Sequence, residues 1–140
     1  MTQIATAQAT STAAPAAFFA KWADMATWPE WNNDTEWVRL DGPFAQGSTG
    51  TLKPKGGPKV GFVIEKLTDS EFVDVSELIG ARLTFAHRVA VDGDRTTVTV
   101  TVSIDGPLRW LWTKVMGADL AESVQPDLDA LVAEAEAVRV

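Results

Sequence analysis

Through the middle of the chain apolar side chains return at every second position, and a period of two predicts strands. Val60, Phe62 and Ile64 share one face, with Gly61, Val63 and Glu65 on the other. Leu83, Phe85, His87, Val89 and Val91 alternate with Arg82, Thr84, Ala86, Arg88 and Ala90. The cleanest run sets Val98, Val100, Val102 and Ile104 against Thr97, Thr99, Thr101 and Ser103, so half of it faces a core and half faces solvent. Glu71 to Leu78 forms a further strand after the Thr68-Asp69-Ser70 turn, and Asp92-Gly93-Asp94 is a hairpin signal. Upstream, Trp37-Val38-Arg39-Leu40 opens the run of strands. Turns follow at Asp41-Gly42-Pro43, Gln46-Gly47-Ser48 and Lys55-Gly56-Gly57-Pro58. Met1 to Thr12 alternates more loosely and reads as an edge strand.

A different period appears at three places. Behind Pro15, the stretch Ala16 to Ala23 puts Phe18, Phe19 and Trp22 on one helical face, with Thr12 as the expected N-cap. Pro29 biases Thr27-Trp28 away from the helical region, so the helix must bend or restart, and a second short turn is expected over Pro29 to Asn33. Two tryptophans at such a bend need an apolar surface to cover. The last helix is expected from Leu108 to about Arg139, with Asp105 as its cap and Pro107 in its first turn. Pro126 predicts a kink or break near Val124-Gln125. Leu108, Leu111, Trp112, Val115, Met116 and Leu120 make an apolar face too wide for a narrow seam, while Glu122, Asp127, Asp129, Glu134 and Glu136 supply the wet face. The order is one strand, a broken pair of short helices, about six antiparallel strands and one long helix.

Composition narrows the class. A chain of 140 residues, 46% hydrophobic, is one globular domain spanning residues 1–140. Nineteen acids against twelve bases leave a net charge of −7, which disfavours nucleic acid and anionic membranes as partners. Without cysteine there are no disulfides, thiolate metal sites or cysteine nucleophiles. The first twenty residues lack Lys and Arg, and no apolar run approaches a membrane span, so a soluble cytoplasmic protein without stable membrane insertion is expected.

Chemistry-bearing residues are few. His87 is the only histidine and shares the inward face with Phe85 and Val89, where an imidazole serves either as a packed core group or as an acid–base group near neutral pH. One histidine without a cysteine or a carboxylate pair at ligand spacing makes no metal site, and no cofactor motif is present. Asp24 and Glu30 flank the Trp-Pro bend, either at a cavity mouth or as parts of helix ends. Lys53 to Lys59 is a basic, glycine-containing segment, but it lacks the Gly-Lys-Ser/Thr that opens a P-loop helix and reads as a solvated hairpin.

In order and spacing, several short motifs are similar to one family. They are Asp24 with Trp28-Pro29-Glu30-Trp31, Leu40-Asp41-Gly42-Pro43-Phe44 with Gly47-Ser48-Thr49-Gly50, Gly80-Ala81-Arg82-Leu83-Thr84-Phe85-Ala86-His87, and Gly106-Pro107-Leu108. Over nearly its whole length the chain resembles the START/Bet v 1-like (SRPBCC) superfamily, in its polyketide cyclase/dehydrase-like branch. That resemblance implies an α+β helix-grip fold: a curved antiparallel sheet of about seven strands wrapped around a long C-terminal helix, with an apolar cavity between them. It implies a small hydrophobic, lipid- or polyketide-like ligand as partner. Phe62, Ile64, Leu83, Phe85, Trp112, Met116 and Leu120 are the expected lining, His87 the anchor, and Trp28 and Trp31 the gate. The same side chains would equally fill a solid core. The functions in play are binding or carrying the ligand, a cyclase or dehydratase using His87, and a scaffold without ligand. The protein is expected as a monomer or homodimer.

Overall fold

The computed structural model describes residues 2–137. One strand and a first helical region precede six further strands and a long last helix: β1 (Thr2–Ser11), α1 (Pro15–Ala23), a single 3-10 turn (Met25–Thr27), α2 (Trp28–Trp31), β2 (Thr35–Asp41), β3 (Thr49–Pro54), β4 (Val60–Leu67), β5 (Glu71–Leu78), β6 (Ala81–Asp92), β7 (Arg95–Asp105) and α3 (Arg109–Ala137). All seven strands form one antiparallel sheet in the order β1-β7-β6-β5-β4-β3-β2. β1 therefore lies at an edge, as its loose alternation suggests. This is the helix-grip arrangement, with α3 held in the hollow of a curved sheet.

Register explains which side chains meet. β6 pairs with β5 so that His87 faces Phe72 and Phe85 faces Asp74, and with β7 so that His87 faces Val100. Period two then carries Leu83, Phe85, His87 and Val89 to the inner face together. The interior packs as two clusters. One gathers Phe18, Trp22, Met25 and Trp28 from the first helical region against Ile64, Phe72, Val98, Leu128 and Leu131. The other joins Ala5, Ala81, Leu83, Val102 and Ile104 to Trp112, Met116 and Leu120. At the far end of the molecule the Ser11 hydroxyl donates to Glu136 over 2.7 Å, fastening the first strand to the last turns of α3.

Local details depart from the sequence reading at the helix ends and at one proline. The N-cap of α1 is Ala14, not Thr12, and no side chain caps it. Pro15 occupies the first helical position, so the residue before it takes the cap whatever its chemistry. Asp105 Oδ1 accepts the Gly106 N–H at 2.9 Å but does not cap α3, because the helix starts only at Arg109, beyond Pro107. α3 also runs through Pro126 without a break at Val124-Gln125. Leu120, Val124, Leu128 and Leu131 carry one apolar face across the proline, and burial of that face outweighs one missing backbone bond. The expected extension of the helix to Arg139, and Met1 at the start of β1, lie outside the described residues.

Candidate functional site

A cavity of about 240 Å³ lies between the two clusters and takes its wall from both. The sheet supplies Leu52 and Pro54 from β3, Val60 from β4, Asp74, Ser76 and Leu78 from β5, Leu83, Phe85 and His87 from β6, and Val100 and Val102 from β7. α3 supplies Met116, Leu120, Val124, Leu128 and Leu131, and the first helical region supplies Trp22, Trp28 and Trp31. Alternation on the strands and i, i+4 spacing on the helix put these apolar groups on facing surfaces. The wall is thus overwhelmingly aromatic and aliphatic.

Within it, two polar side chains stand close together. Asp74 is buried with its side chain 9% exposed, and Oδ1 has no hydrogen-bond partner. Burial pushes its carboxyl up to about 7, against the pull of its own backbone N–H. The His87 ring is stacked on Phe72, with centroids 4.8 Å apart, and touches Trp22 on another side. Its Nδ1 lies 2.9 Å from the Phe72 carbonyl oxygen, which fixes that nitrogen as the donor and leaves Nε2 as the acceptor in the neutral ring. Burial lowers the imidazole to about 4, with the Phe72 carbonyl acting in the opposite sense. The gap of 3.9 Å between Nδ1 and Asp74 Oδ1 is too long for a hydrogen bond, and the imidazole is uncharged at neutral pH. The two groups form a desolvated acid and base rather than an ion pair.

At the mouth, Asn32 and Asp34 from the segment between α2 and β2, Thr35 at the start of β2, and Ser123 and Asp127 of α3 share the wall. Asp127 is raised to about 7, first by burial and then by the Asp34 carboxyl, which lies within hydrogen-bonding reach and adds its own charge. Trp31 Nε1 is buried without a partner, whereas Trp28 Nε1 donates to the Lys21 carbonyl at 3.2 Å. No group of three or more potential metal ligands occurs among the described residues. Nor does any helix among them have the length and apolarity to cross a membrane.

Residues 2–136 match the family model described as polyketide cyclase / dehydrase and lipid transport. The chain belongs to that family. Solved structures agree on the fold. A protein from Thermus thermophilus superposes with a TM-score of 0.75 at 17% identity, covering 97% of this chain and 99% of that one. A START superfamily protein from Mycobacterium smegmatis gives 0.70 at 12% identity, with 96% and 97% covered. The Zhui aromatase/cyclase from Streptomyces sp. R1128 gives 0.70 at 17%, with 96% and 94% covered. No curated protein matches.

Family membership directs attention to the cavity, and the structure sorts the residues that the sequence singled out. Trp28, Trp31, Leu83, Phe85, His87, Met116 and Leu120 all lie on its wall. Phe62, Ile64 and Trp112 do not. Phe62 lies over Gly50, where an added Cβ would strike its ring, and Ile64 is fully buried in the first cluster; both point inward but into filled space. Trp112 leans on the second cluster and donates Nε1 to the Ile79 carbonyl at 2.8 Å, which holds it at the rim of the sheet. Asp24 and Glu30 are not on the wall: Asp24 sits at the junction of α1 and the 3-10 turn, and Glu30 in the only turn of α2. Lys53 in the basic hairpin bonds Glu36 at 2.9 Å.

Asp74, Ser76 and Asp34 were missed by sequence reasoning, and Asp127, expected on the wet face of the last helix, lines the cavity instead. The signal for the first two was present, since Phe72, Asp74, Ser76 and Leu78 occupy one face of β5 by simple alternation, and a lone Asp between two valines is out of character for a strand. Asp127 interrupts the apolar stripe Leu120, Val124, Leu128, Leu131, but its neighbour Asp34 is visible only in three dimensions.

Proposed function

We propose that this protein binds and carries a small hydrophobic ligand in the cavity between sheet and α3. The supporting observation is the wall itself: about 240 Å³ of interior space bounded by aromatic, aliphatic and methionine side chains, with a handful of polar groups. Empty apolar space of this kind is unfavourable because its lining forgoes dispersion contacts, and a lipophile restores them. Ser76, Asp74 and His87 would then meet the ligand's polar atoms. The test uses the neutral fluorophore N-phenyl-1-naphthylamine and the variant Val100→Phe, which fills the cavity from β7. The fluorophore should bind the parent protein, and the variant should lose at least about tenfold in affinity with an unchanged circular dichroism spectrum. Equal binding by both proteins would refute the cavity as the site.

A second reading, a cyclase or dehydratase, is favoured by one observation: an uncharged imidazole lies 3.9 Å from a buried carboxyl whose affinity for a proton is raised. With Nε2 as base and Asp74 as acid, that pair has the polarity needed for proton transfer next to a ketone. Conversion of polyketone substrates, followed by chromatography, should be lost in His87→Ala with folding retained. Undiminished conversion would remove His87 from the mechanism.

A further inference from the structure

We propose that the cavity selects lipophilic amines, with the ammonium group seated between Asp34 and Asp127 at the mouth and the hydrocarbon body among the tryptophans inside. This deepens the ligand-binding reading and rests on it. The first ground is the charge inventory of the wall. Its ionisable groups are Asp34, Asp74, His87 and Asp127, and neither Lys nor Arg contributes to it. Three carboxyls thus share one small apolar space with no cation of their own. Lys53, on the neighbouring strand, is already engaged by Glu36 and by the Pro54 carbonyl.

The second ground is the state of those carboxyls. Asp34 and Asp127 both line the mouth, and burial, then a hydrogen bond with the Asp34 carboxyl and its charge, favour a proton on Asp127. An ammonium would displace that proton and donate a charge-assisted hydrogen bond to each carboxylate. A carboxylate ligand would instead add a further negative charge to the site. A neutral alcohol carries no charge with which to displace the proton and gains only an ordinary hydrogen bond. Asp74 is an independent sign of a missing partner, for its side chain is nine-tenths buried on the same wall with Oδ1 unpartnered. Trp28 and Trp31, with ring centroids 6.1 Å apart, line the same cavity as Asp34, and an aromatic wall of this kind attracts a cation.

A matched series separates the possibilities: 4-phenylbutylamine, 4-phenylbutanol and 4-phenylbutyrate, titrated by calorimetry against the intact protein and against Asp34→Asn/Asp127→Asn. Both substitutions are nearly isosteric, and alcohol binding reports whether the variant cavity is intact. The amine should bind the parent at least about tenfold more tightly than the alcohol, and the carboxylate more weakly than either. In the double variant the amine should fall to within about threefold of the alcohol while the alcohol is unchanged. Asp34→Asn alone, at an exposed position, should weaken amine binding in the same direction if the double variant does not fold. Equal affinity for amine and alcohol in the parent overturns the amine proposal and leaves the cavity reading standing. Failure of all three to bind overturns both.

Discussion

Asp74 is a carboxyl in a setting that favours its neutral form, and the cost of charging it there links folding to pH. In the folded chain it holds its proton up to about 7, whereas an unfolded Asp releases it near 3.8. Between those values the folded state binds more protons, so this group's contribution to stability is greatest on the acid side and declines as pH rises to about 7. Asp127 acts in the same direction. His87 acts in the opposite one: it holds a proton to 6.5 when unfolded but only to about 4 when folded, so it removes stability as pH falls through that window. The stability of the parent minus that of Asp74→Asn, from urea denaturation, isolates the first effect. That difference should fall by roughly 1 kcal/mol per pH unit up to about pH 7 and level off beyond it. A difference independent of pH would show that Asp74 is hydrated. The contrast between His87 and Phe62 marks the limit of reading single residues from sequence. Alternation carried both to the inner face, but whether an inward side chain meets empty space or another ring depends on neighbours such as Gly50, far away along the chain.

At the scale of elements, α3 is where local propensity and packing disagree. Pro126 removes a backbone donor and crowds the preceding turn, which in isolation ends a helix. Here the stripe is packed on both sides of it, with Val124 half-buried before the proline and Leu128 and Leu131 buried after it, and the helix continues. The helix therefore carries an unrelieved backbone cost, and Pro126→Ala should raise stability by about 1–3 kcal/mol, read as a higher urea midpoint with unchanged slope. No gain, or a loss, would mean that the proline ring is itself part of the packing. Strand boundaries were more legible than helix boundaries for a physical reason. The strands β4, β6 and β7 have a period-two pattern closed by a Gly or Asp turn, whereas the caps of α1 and α3 depend on where the chain must turn to reach the sheet. Asp105, correctly placed near the start of α3, spends its carboxylate on Gly106 instead.

For the whole molecule, the order of elements was readable because nothing interrupts it: one edge strand, two short helices, six hairpin-linked strands and a final helix. Seven strands in sequence with a long terminal helix leave few ways to bury the inner face, and the observed topology is the simplest of them. The cavity was less legible. It is a volume left between two clusters, and a one-dimensional pattern records which residues face inward but not how completely they fill the space between them. Its mouth was invisible for the same reason, since Asp34 and Asp127 are assembled from segments that share no local pattern.

The fastening of Ser11 to Glu136 bears on how the molecule comes into being. It joins positions 125 residues apart, and the edge strand leaves the ribosome well before the last helix. Contacts of such sequence separation form late, because the chain must first be closed over its whole length. Until α3 docks, the inner faces of β5, β6 and β7 have no lid, and the wall around Asp74 and His87 stands open to water. The cavity therefore cannot exist before α3 has docked on the sheet.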